Sequence, residues 1–219
     1  MAMNVAIDGP AGAGKSTIAK AIAKKMGYVY VDTGAMYRAM ALYFIGAGIA
    51  ADDEAAIASS VDDISVFIKY EDGAQHVILN GEDVTGRIRT EEVGNMASAT
   101  SVYAPVRSKL VSLQQELAKS TDVIMDGRDI GTVVLPNANV KIFLTASVEC
   151  RAKRRFDELV AKGETPDFNK IAEDIADRDY RDSHREISPL RQAEDAILVD
   201  SSDMTIDQVV DTIISYIDK

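Results

Sequence analysis

A glycine-rich segment near the start of the 219-residue chain has the residue types and spacing of a phosphate-binding loop. Its residues are Gly9, Pro10, Ala11, Gly12, Ala13, Gly14, Lys15, Ser16 and Thr17. The glycines allow successive backbone N–H groups to face an anion, the lysine can neutralise phosphate charge, and the serine hydroxyl can bind Mg²⁺. An apolar strand, Val5–Ile7, precedes the loop and a predicted helix, Lys15–Met26, follows it, which is the context of a true nucleotide site. We therefore predict a phosphotransferase that binds ATP and Mg²⁺.

A second polar segment, Asp126–Asp129, directly follows the apolar strand Val123–Met125. An acidic residue at the end of such a strand orients the water molecules of Mg²⁺ in phosphate-loop enzymes, and we predict this role for Asp126. Arg128 and Asp129 leave the strand through a glycine-containing turn. Ligands of open parallel sheets bind beyond the carboxyl ends of strands, so these side chains are expected near the phosphate loop. The alternative is an ordinary surface turn.

The segment Asp32–Arg38 follows another predicted strand, Tyr28–Val31. Arg38 falls one helical turn after Gly34, at the same edge of the predicted sheet, where it can reach the phosphate of a second substrate. A capped helix with a solvated arginine is the competing interpretation.

The predicted helix Lys170–Arg185 carries a charged stripe. Arg181, Asp182 and Arg185 follow Arg178 at spacings of three, four and seven residues, so all four share one helix face. Three guanidinium groups repel one another unless an anion binds them, and a phosphate does so through bidentate hydrogen bonds. The stripe therefore indicates a phosphate site, and a solvated face with ion pairs between successive turns is the alternative.

The predicted helix Arg151–Lys162 opens with a basic cluster and is followed by helix-breaking residues. The cluster consists of Arg151, Lys153, Arg154 and Arg155. We interpret this region as a mobile lid, because lids that close over phosphates exclude water and supply arginines to the transferring group. An ordinary basic surface helix is the alternative.

The predicted elements near the start of the chain alternate between strand and helix, which indicates a parallel sheet with right-handed crossovers. The turn signals Asp72-Gly73 and Asn80-Gly81 lie between β-branched stretches, which predicts an antiparallel insert at about Ile64–Arg89. The remaining predicted helices are Gly34–Gly46, Glu91–Ser101, Ala104–Lys119 and Thr205–Ile217, and the remaining predicted strands are Val140–Leu144 and Ile197–Val199.

Composition narrows the possible functions. A formal charge of −11 argues against a nucleic-acid polymer as partner, whereas a small anion can still bind where arginines converge. The sequence shows no targeting segment and no apolar stretch long enough for a membrane, so we expect a cytoplasmic protein. The single cysteine, Cys150, excludes an internal disulfide and is interpreted as a bystander. We assign no catalytic role to His76 or His184.

Taken together, these stretches resemble the bacterial cytidylate kinases over nearly the whole chain. The resemblance lies in IDGPAGAGKST, DTGAMYR, NGEDVTGRIRTEEV, MDGRDIGTVVLP, KIFLTAS, RAKRR and RDYRDSHREISPL. It implies that a monomer transfers the γ-phosphate of ATP to CMP or dCMP, with Mg²⁺. It also implies the α/β fold of the P-loop nucleoside monophosphate kinases, with a central parallel five-stranded sheet flanked by helices. The implied domains are a core (residues 1–32, 104–149 and 186–219), a monophosphate-binding domain that holds the antiparallel insert (33–103) and a helical lid (150–185).

The resemblance further implies roles for single residues. The acceptor phosphate is bound by Arg38, Arg128 and Arg185, the sugar by Arg178 and Asp182, and cytosine by Ser98, Arg107 and Asp129, with Thr33 and Tyr37 close by. The implied catalytic residues are Lys15, Arg128, Arg154, Arg155 and Arg185, and Mg²⁺ is held by Ser16 and, through water, by Asp126. Many relatives have serine where this chain has threonine at position 33, which keeps the hydroxyl.

The chemistry of cytosine agrees with these implied roles. A carboxylate can accept from the exocyclic N4 amine of cytosine, whereas uracil presents a carbonyl and leaves both groups unsatisfied. An unsatisfied buried polar group costs about 1–3 kcal/mol, which predicts that CMP is favoured over UMP by roughly one to two orders of magnitude.

Two alternative functions are weighed against this one. An adenylate, uridylate or thymidylate kinase is disfavoured by the antiparallel insert and by the DGRD turn. A nucleotide-hydrolysing switch protein is disfavoured because the guanine motif N-K-x-D is incomplete: Asn169-Lys170-Ile171 is followed by Ala172. The arginine stripe would also have no purpose in a switch protein.

Overall fold

The computed structural model describes residues 2–71 and 74–218. The predicted turn Asp72-Gly73 lies outside the described residues. The chain divides into two compact units. The first unit combines the chain up to Val29 with the chain from Asp122 onward, and the second unit is Tyr30–Thr121. The predicted division into core, monophosphate-binding domain and lid is a functional one and stays a prediction.

Strands and helices alternate over much of the chain. The strands are β1 (Asn4–Asp8), β2 (Val29–Asp32), β3 (Val66–Glu71), β4 (Ala74–Leu79), β5 (Glu82–Asp83), β6 (Val123–Gly127), β7 (Val140–Thr145) and β8 (Ile197–Asp200). The helices are α1 (Lys15–Met26), α2 (Thr33–Gly46), α3 (Glu54–Ser60), α4 (Glu91–Thr100), α5 (Ala104–Ala118), α6 (Val148–Ala161), α7 (Phe168–His184) and α8 (Ile206–Ile217). A 3-10 turn, Val61–Asp63, and a π-helical turn, Ile130–Val134, complete the described elements.

The predicted α/β fold is confirmed by a five-stranded parallel sheet with the strand order β2-β6-β1-β7-β8. The central strands β1 and β6 are apolar at Val5–Ile7 and Val123–Met125, and Val5 and Ile124 within them are completely buried, as in a parallel sheet that is covered on both faces. The register places Ile7 opposite Asp126 and Asp8 opposite Gly127. Strands β1 and β6 therefore end side by side, which sets the loops that follow them next to each other.

The second unit holds the predicted antiparallel insert, a three-stranded sheet with the order β3-β4-β5. The turn between β4 and β5 is made by Asn80 (φ 48°) and Gly81 (φ 86°), two left-handed residues in succession, as an Asn-Gly hairpin requires. The core of this unit is formed by helix α2 with α4, α5 and the insert, around completely buried residues such as Met40, Phe44 and Leu110.

Side-chain caps explain where several helices begin. Ser147 accepts from the backbone N–H of Cys150, so α6 begins at Val148 rather than at the predicted Arg151. Asp167 accepts from two backbone N–H groups, so α7 begins at Phe168, two residues before the predicted start. The predicted capping box of Thr205 and Gln208 is present at the start of α8.

Three short elements were not predicted from the sequence: α3, which Asp53 caps, the 3-10 turn Val61–Asp63 and the π-helical turn after β6. Within residues 2–71 and 74–218, no helix combines the length and the apolar character needed to cross a membrane.

Candidate active site

The glycine loop after β1 has the backbone that phosphate binding needs. Gly12 and Gly14 adopt left-handed φ values of 77° and 91°, which turn the chain before α1 begins at Lys15. A Cβ at Gly9 would lie 1.9 Å from the carbonyl oxygen of Leu144 on β7, so no side chain fits there. The loop is thus closely packed against the sheet and ends on the N-terminus of a helix, which together form a site for anions.

Lys15 bridges the loop from within. Its Nζ donates to the carbonyl oxygens of Gly9 and Pro10, both at 2.7 Å, and the side chain is buried. Burial and the positive charge of Arg128 lower the pKa of Lys15 below its ordinary value, and Asp126 opposes that shift. A bound polyphosphate would add negative charge and stabilise the ammonium form.

Ser16 and Asp126, which are 110 residues apart in the chain, meet beside the loop. The hydroxyl of Ser16 donates to Oδ2 of Asp126 at 2.9 Å, and Asp126 is only 5% exposed. A hydroxyl and a carboxylate are the oxygen donors that Mg²⁺ prefers, so this pair fits the ion. No group of three or more His, Cys, Asp or Glu side chains that could hold a metal occurs among the described residues. The remaining ligands of an ion here would be water and phosphate oxygens, as is usual for Mg²⁺.

The segment after β6, the C-terminal half of α7 and the residue that follows α7 form a cluster of opposite charges. The predicted helix stripe is wrong for two of its members: α7 ends at His184, so Arg185 lies outside the helix, and Arg181 is exposed and donates to the carbonyl oxygen of Asp177. Arg128 donates from Nε to Asp182 at 2.8 Å, and Nη2 of Arg185 lies 3.7 Å from Oδ1 of Asp129. Burial tends to raise the pKa of Asp182, but the charges of Arg128, Arg178 and Arg185 outweigh it and the pKa is lowered. The guanidinium groups of Arg128, Arg178 and Arg185 thus lie near the carboxylates of Asp129 and Asp182. Guanidinium groups are suited to bidentate binding of a phosphate.

The basic cluster of α6 separates into buried and exposed members. Arg151 is buried and donates to the carbonyl oxygens of Ala11 and Ala146 and to the carboxylate of Asp179. Arg154 donates to the carbonyl oxygens of Ser201 at 2.7 Å and of Ala13 at 3.4 Å. Two arginines of the predicted lid therefore hold carbonyls of the phosphate loop.

Arg155, in contrast, is half exposed and pairs with Glu158 in the next turn of the same helix. The roles of Arg154 and Arg155 toward a transferring phosphate stay predictions.

The second unit contains the remaining predicted residues. Arg38, on α2, donates to the carbonyl oxygens of Ile88 at 3.0 Å and Thr90 at 3.3 Å. Arg107, on α5, is buried, donates to the carbonyl oxygen of Ser101 at 3.3 Å and lies 5.9 Å from the ring centre of Tyr37.

Thr33 and Ser98 are the two predicted hydroxyls of this unit. Thr33 is buried at the first position of α2, where Asp32 caps the helix by accepting from Ala35. Ser98 lies on α4, within the second unit.

Comparison with known proteins decides between the kinases that share such a phosphate loop. The family model described as cytidylate kinase matches residues 5–219. The chain is 54% identical to the cytidylate kinase of Lactobacillus johnsonii over 217 residues, 99% of this chain and 94% of that protein. It is 51% identical to the cytidylate kinase of Caldicellulosiruptor saccharolyticus, with 99% and 96% covered.

The chain belongs to the cytidylate kinase family. Solved structures agree at the level of the fold. A shikimate kinase from Bacteroides thetaiotaomicron superposes with a TM-score of 0.51 at 12% identity, with 99% of each chain covered. A gluconokinase from Sinorhizobium meliloti gives a TM-score of 0.52 at 12% identity, with 99% of this chain and 91% of that chain covered. Both are phosphate-transferring enzymes by name, and the likeness confirms the kinase fold of this family member.

Three residues that sequence reasoning did not single out belong to the site regions. Asp8 ends β1 and accepts from the backbone N–H groups of Ile130 and Gly131. It follows an apolar strand just as Asp126 does, so the same pattern could have identified it. Arg89 pairs with Asp32 at 2.5 Å. Gly94 carries no side chain beside Arg38, and the sequence alone contains no signal for that contact.

The histidines and the cysteine have structural surroundings. His76 contacts Asp83 at 2.7 Å on the surface of the insert, and hydrogen bonds from Thr85 and His76 lower the pKa of Asp83 to about 2. His184 stacks on Tyr180 with ring centres 4.0 Å apart. The thiol of Cys150 donates to the carbonyl oxygen of Ser202 at 3.6 Å.

Proposed function

We propose that this chain transfers the γ-phosphate of ATP to CMP or dCMP, which yields ADP and CDP or dCDP. The observation that carries the proposal is the match to the cytidylate kinase family over residues 5–219. The geometry supports it: one unit holds both a phosphate loop and a cluster in which Arg128, Arg178 and Arg185 lie beside Asp129 and Asp182. A kinase needs both features, because it binds a polyphosphate donor and a phosphorylated acceptor.

On the donor side, the loop N–H groups and Lys15 hold the phosphates of ATP. Ser16 and Asp126 would hold Mg²⁺, Ser16 directly and Asp126 through water. When bound, the ion neutralises charge on the β- and γ-phosphate oxygens. The chain itself positions the phosphates and keeps water out, which accounts for most of catalysis in phosphoryl transfer.

On the acceptor side, the phosphate of CMP is bound by Arg38, Arg128 and Arg185. Arg178 and Asp182 bind the sugar. A dianionic phosphate would displace Asp182 as partner of Arg128, and the carboxylate would then be available to accept from a sugar hydroxyl. The ion pair between Arg128 and Asp182 supports the assignment of both residues to one nucleotide, because it shows that their side chains meet.

Cytosine is recognised by Ser98, Arg107 and Asp129, and Thr33 and Tyr37 are the further residues assigned to the acceptor nucleotide. Asp129 and Arg107 are only 5% and 4% exposed, which supports this role. Where water is excluded, a wrong base leaves buried polar groups without a hydrogen bond, so the correct base is strongly favoured. We further propose that Arg154 and Arg155 contact the transferring phosphate when α6 and α7 close, and that the enzyme acts as a monomer in the cytoplasm.

A phosphoryl-transfer assay with ATP, Mg²⁺ and each of CMP, dCMP, UMP, AMP and TMP tests the function. We expect kcat/KM with CMP and dCMP to exceed that with UMP by about 10- to 100-fold. Fastest turnover with AMP or TMP would refute the proposal. Omission of Mg²⁺ in the presence of a chelator should abolish transfer.

The variant Asp129→Asn separately tests whether Asp129 recognises the base. An amide can donate to the O4 carbonyl of uracil, so the preference for CMP over UMP should fall about tenfold. The matched control is Asp203→Asn, which makes the same exchange at an exposed position and should leave the preference unchanged. An unchanged preference in Asp129→Asn would remove Asp129 from base recognition.

A further inference from the structure

The buried carboxylate of Asp8 joins the two loops of the first unit. Asp8 is the last residue of β1 and directly precedes Gly9, the first glycine of the phosphate loop. Its Oδ1 accepts from the backbone N–H of Ile130 and its Oδ2 from that of Gly131, both at 2.7 Å. One side chain thus ties the start of the phosphate loop to the segment that follows β6.

These two N–H groups are the first of the π-helical turn Ile130–Val134, and the first N–H groups of a helical turn have no partner within it. The carbonyl oxygen of Asp129 belongs to the same peptide group as the N–H of Ile130, and it accepts from the backbone N–H of Val133 at 2.9 Å. The backbone of Asp129 is therefore fixed between the turn that it starts and the carboxylate of Asp8. Its side chain, and that of Arg128 one residue earlier, depend on this anchoring.

The surroundings of Asp8 are shaped for this contact. The register of β1 and β6 sets Asp8 opposite Gly127, where the segment leaves the sheet. A Cβ at Gly131 would lie 3.4 Å from Oδ2 of Asp8, in ordinary contact with the carboxylate, and 3.2 Å from Cδ of Lys141, which is tight. Burial raises the pKa of Asp8 to about 6, while the bonds from Gly131 and Ile130 act to lower it. A buried carboxylate is costly, and these two bonds, together with the charge of Lys15, offset part of that cost.

We propose that Asp8 is a positioning residue that sets Asp129 and Arg128 in place relative to the phosphate loop, and so aligns the acceptor nucleotide with the donor phosphate. The inference rests on the proposed function, because it assumes that Asp129 reads the base and that Arg128 binds the acceptor phosphate. It adds a residue that touches neither substrate and acts through the backbone of the segment that does.

The test compares Asp8→Asn with the unchanged enzyme. Asparagine keeps one acceptor oxygen, but its NH₂ group would face the second backbone N–H, and two donors cannot form a hydrogen bond. The segment that follows β6 should therefore shift. We expect kcat/KM for CMP to fall about tenfold or more and the preference for CMP over UMP to fall with it, because a small misplacement of a substrate-positioning group has a large effect on rate. The affinity for ATP, measured by direct binding, should change by about twofold or less, because Lys15 holds the carbonyl oxygens of Gly9 and Pro10 in the loop independently of Asp8.

The matched control is Val5→Ala, which also weakens β1. Val5 is completely buried, lies three residues before Asp8 and pairs with Ile124 and Val140. It should lower the melting temperature and leave the preference for CMP unchanged. If Asp8→Asn behaves in the same way, Asp8 is only a structural residue and the inference is overturned.

A measurement on the unchanged enzyme covers the case in which Asp8→Asn fails to fold. The amide protons of Ile130 and Gly131 should exchange slowly with solvent and resonate downfield, since both donate to a buried carboxylate. Rapid exchange of either proton in the folded enzyme would overturn the inference. The two proposals remain distinguishable: if the unchanged enzyme shows no preference for CMP, the proposed function fails, whereas a lasting preference in Asp8→Asn refutes only the role of Asp8.

Discussion

The substitution Gly94→Ala offers a selective perturbation of the acceptor side. Gly94 lies in α4, and a Cβ built on it would be 2.9 Å from Nη2 and 3.0 Å from Nη1 of Arg38. Ordinary contact begins near 3.4 Å, so the guanidinium must retreat by at least about 0.5 Å. Its hydrogen bonds to the carbonyl oxygens of Ile88 and Thr90, at 3.0 and 3.3 Å, must then rearrange as the end of this flexible side chain moves.

The magnitudes separate activity from stability. Alanine is favoured over glycine in a helix interior by about 0.5–1 kcal/mol, which offsets part of what the displaced hydrogen bonds contribute, so the free energy of unfolding should change by about 1 kcal/mol or less. If Arg38 binds the acceptor phosphate, loss of one charged hydrogen bond costs about 1.5–3 kcal/mol, which corresponds to a fall of about 10- to 150-fold in kcat/KM for CMP. The KM for ATP should be unchanged.

The assay measures ADP formation at varied CMP and fixed ATP, with urea unfolding in parallel. The control is Gly46→Ala, the same exchange at the end of α2, where a Cβ meets nothing within 4 Å. Combination with Arg38→Ala adds a second criterion: the double variant should be no worse than Arg38→Ala alone, because both changes remove the same contact. If Gly94→Ala were as active as Gly46→Ala, the reasoning that links Gly94 to acceptor binding through Arg38 would be refuted.

Three further predictions follow from the first unit. Arg185→Ala should impair the use of CMP by tenfold or more while ATP binding survives, about the effect of one charged hydrogen bond, and an equal loss of both would place Arg185 on the donor side. Arg151→Met should lower the free energy of unfolding by about 3–5 kcal/mol, because it leaves Asp179 without its arginine, and adding Asp179→Asn should restore part of the loss in a urea titration. The pKa of Asp8 is about 6 in the fold against 3.8 as the ordinary value, so its contribution to stability is fully present below pH 3.8 and is lost as the pH rises through 6. As the pH rises from 4 to 8, the free energy of unfolding of Asp8→Asn should therefore increase relative to that of the unchanged enzyme, by up to about 3 kcal/mol. A difference in stability that does not depend on pH would contradict this.

Local patterns in the sequence were sufficient for the parts of the site that depend on one element and its neighbour. The glycine loop follows from its own spacing, and Asp126 follows from its place at the end of an apolar strand. The meeting of Ser16 with Asp126 is then a consequence of the parallel sheet, since both come from the same edge. The Asn80-Gly81 hairpin is predictable for the same reason, because its backbone requirement is local.

Contacts that depend on which strands are neighbours could not be predicted in this way. Asp8 reaches Ile130 and Gly131 only because β1 lies beside β6, more than a hundred residues later in the chain. The contacts of Arg151 could not be predicted from the sequence either. A basic helix looks the same in sequence whether its arginines face solvent or donate to the carbonyl of Ala11.

The charge balance of the first unit links the site to the composition of the whole chain. The chain carries a net charge of −11, yet arginines concentrate around α7, where Asp129 and Asp182 hold two of them. Without these carboxylates the cluster would repel itself and destabilise the fold, whereas full neutralisation would leave nothing to attract a phosphate. If the acceptor phosphate binds Arg128 and Arg185 as proposed, it takes the place of carboxylates that are then released toward the sugar and the base. The same exchange would make the affinity for a nucleoside without phosphate far lower than for the monophosphate, because the nucleoside cannot supply the charge that the carboxylates give up.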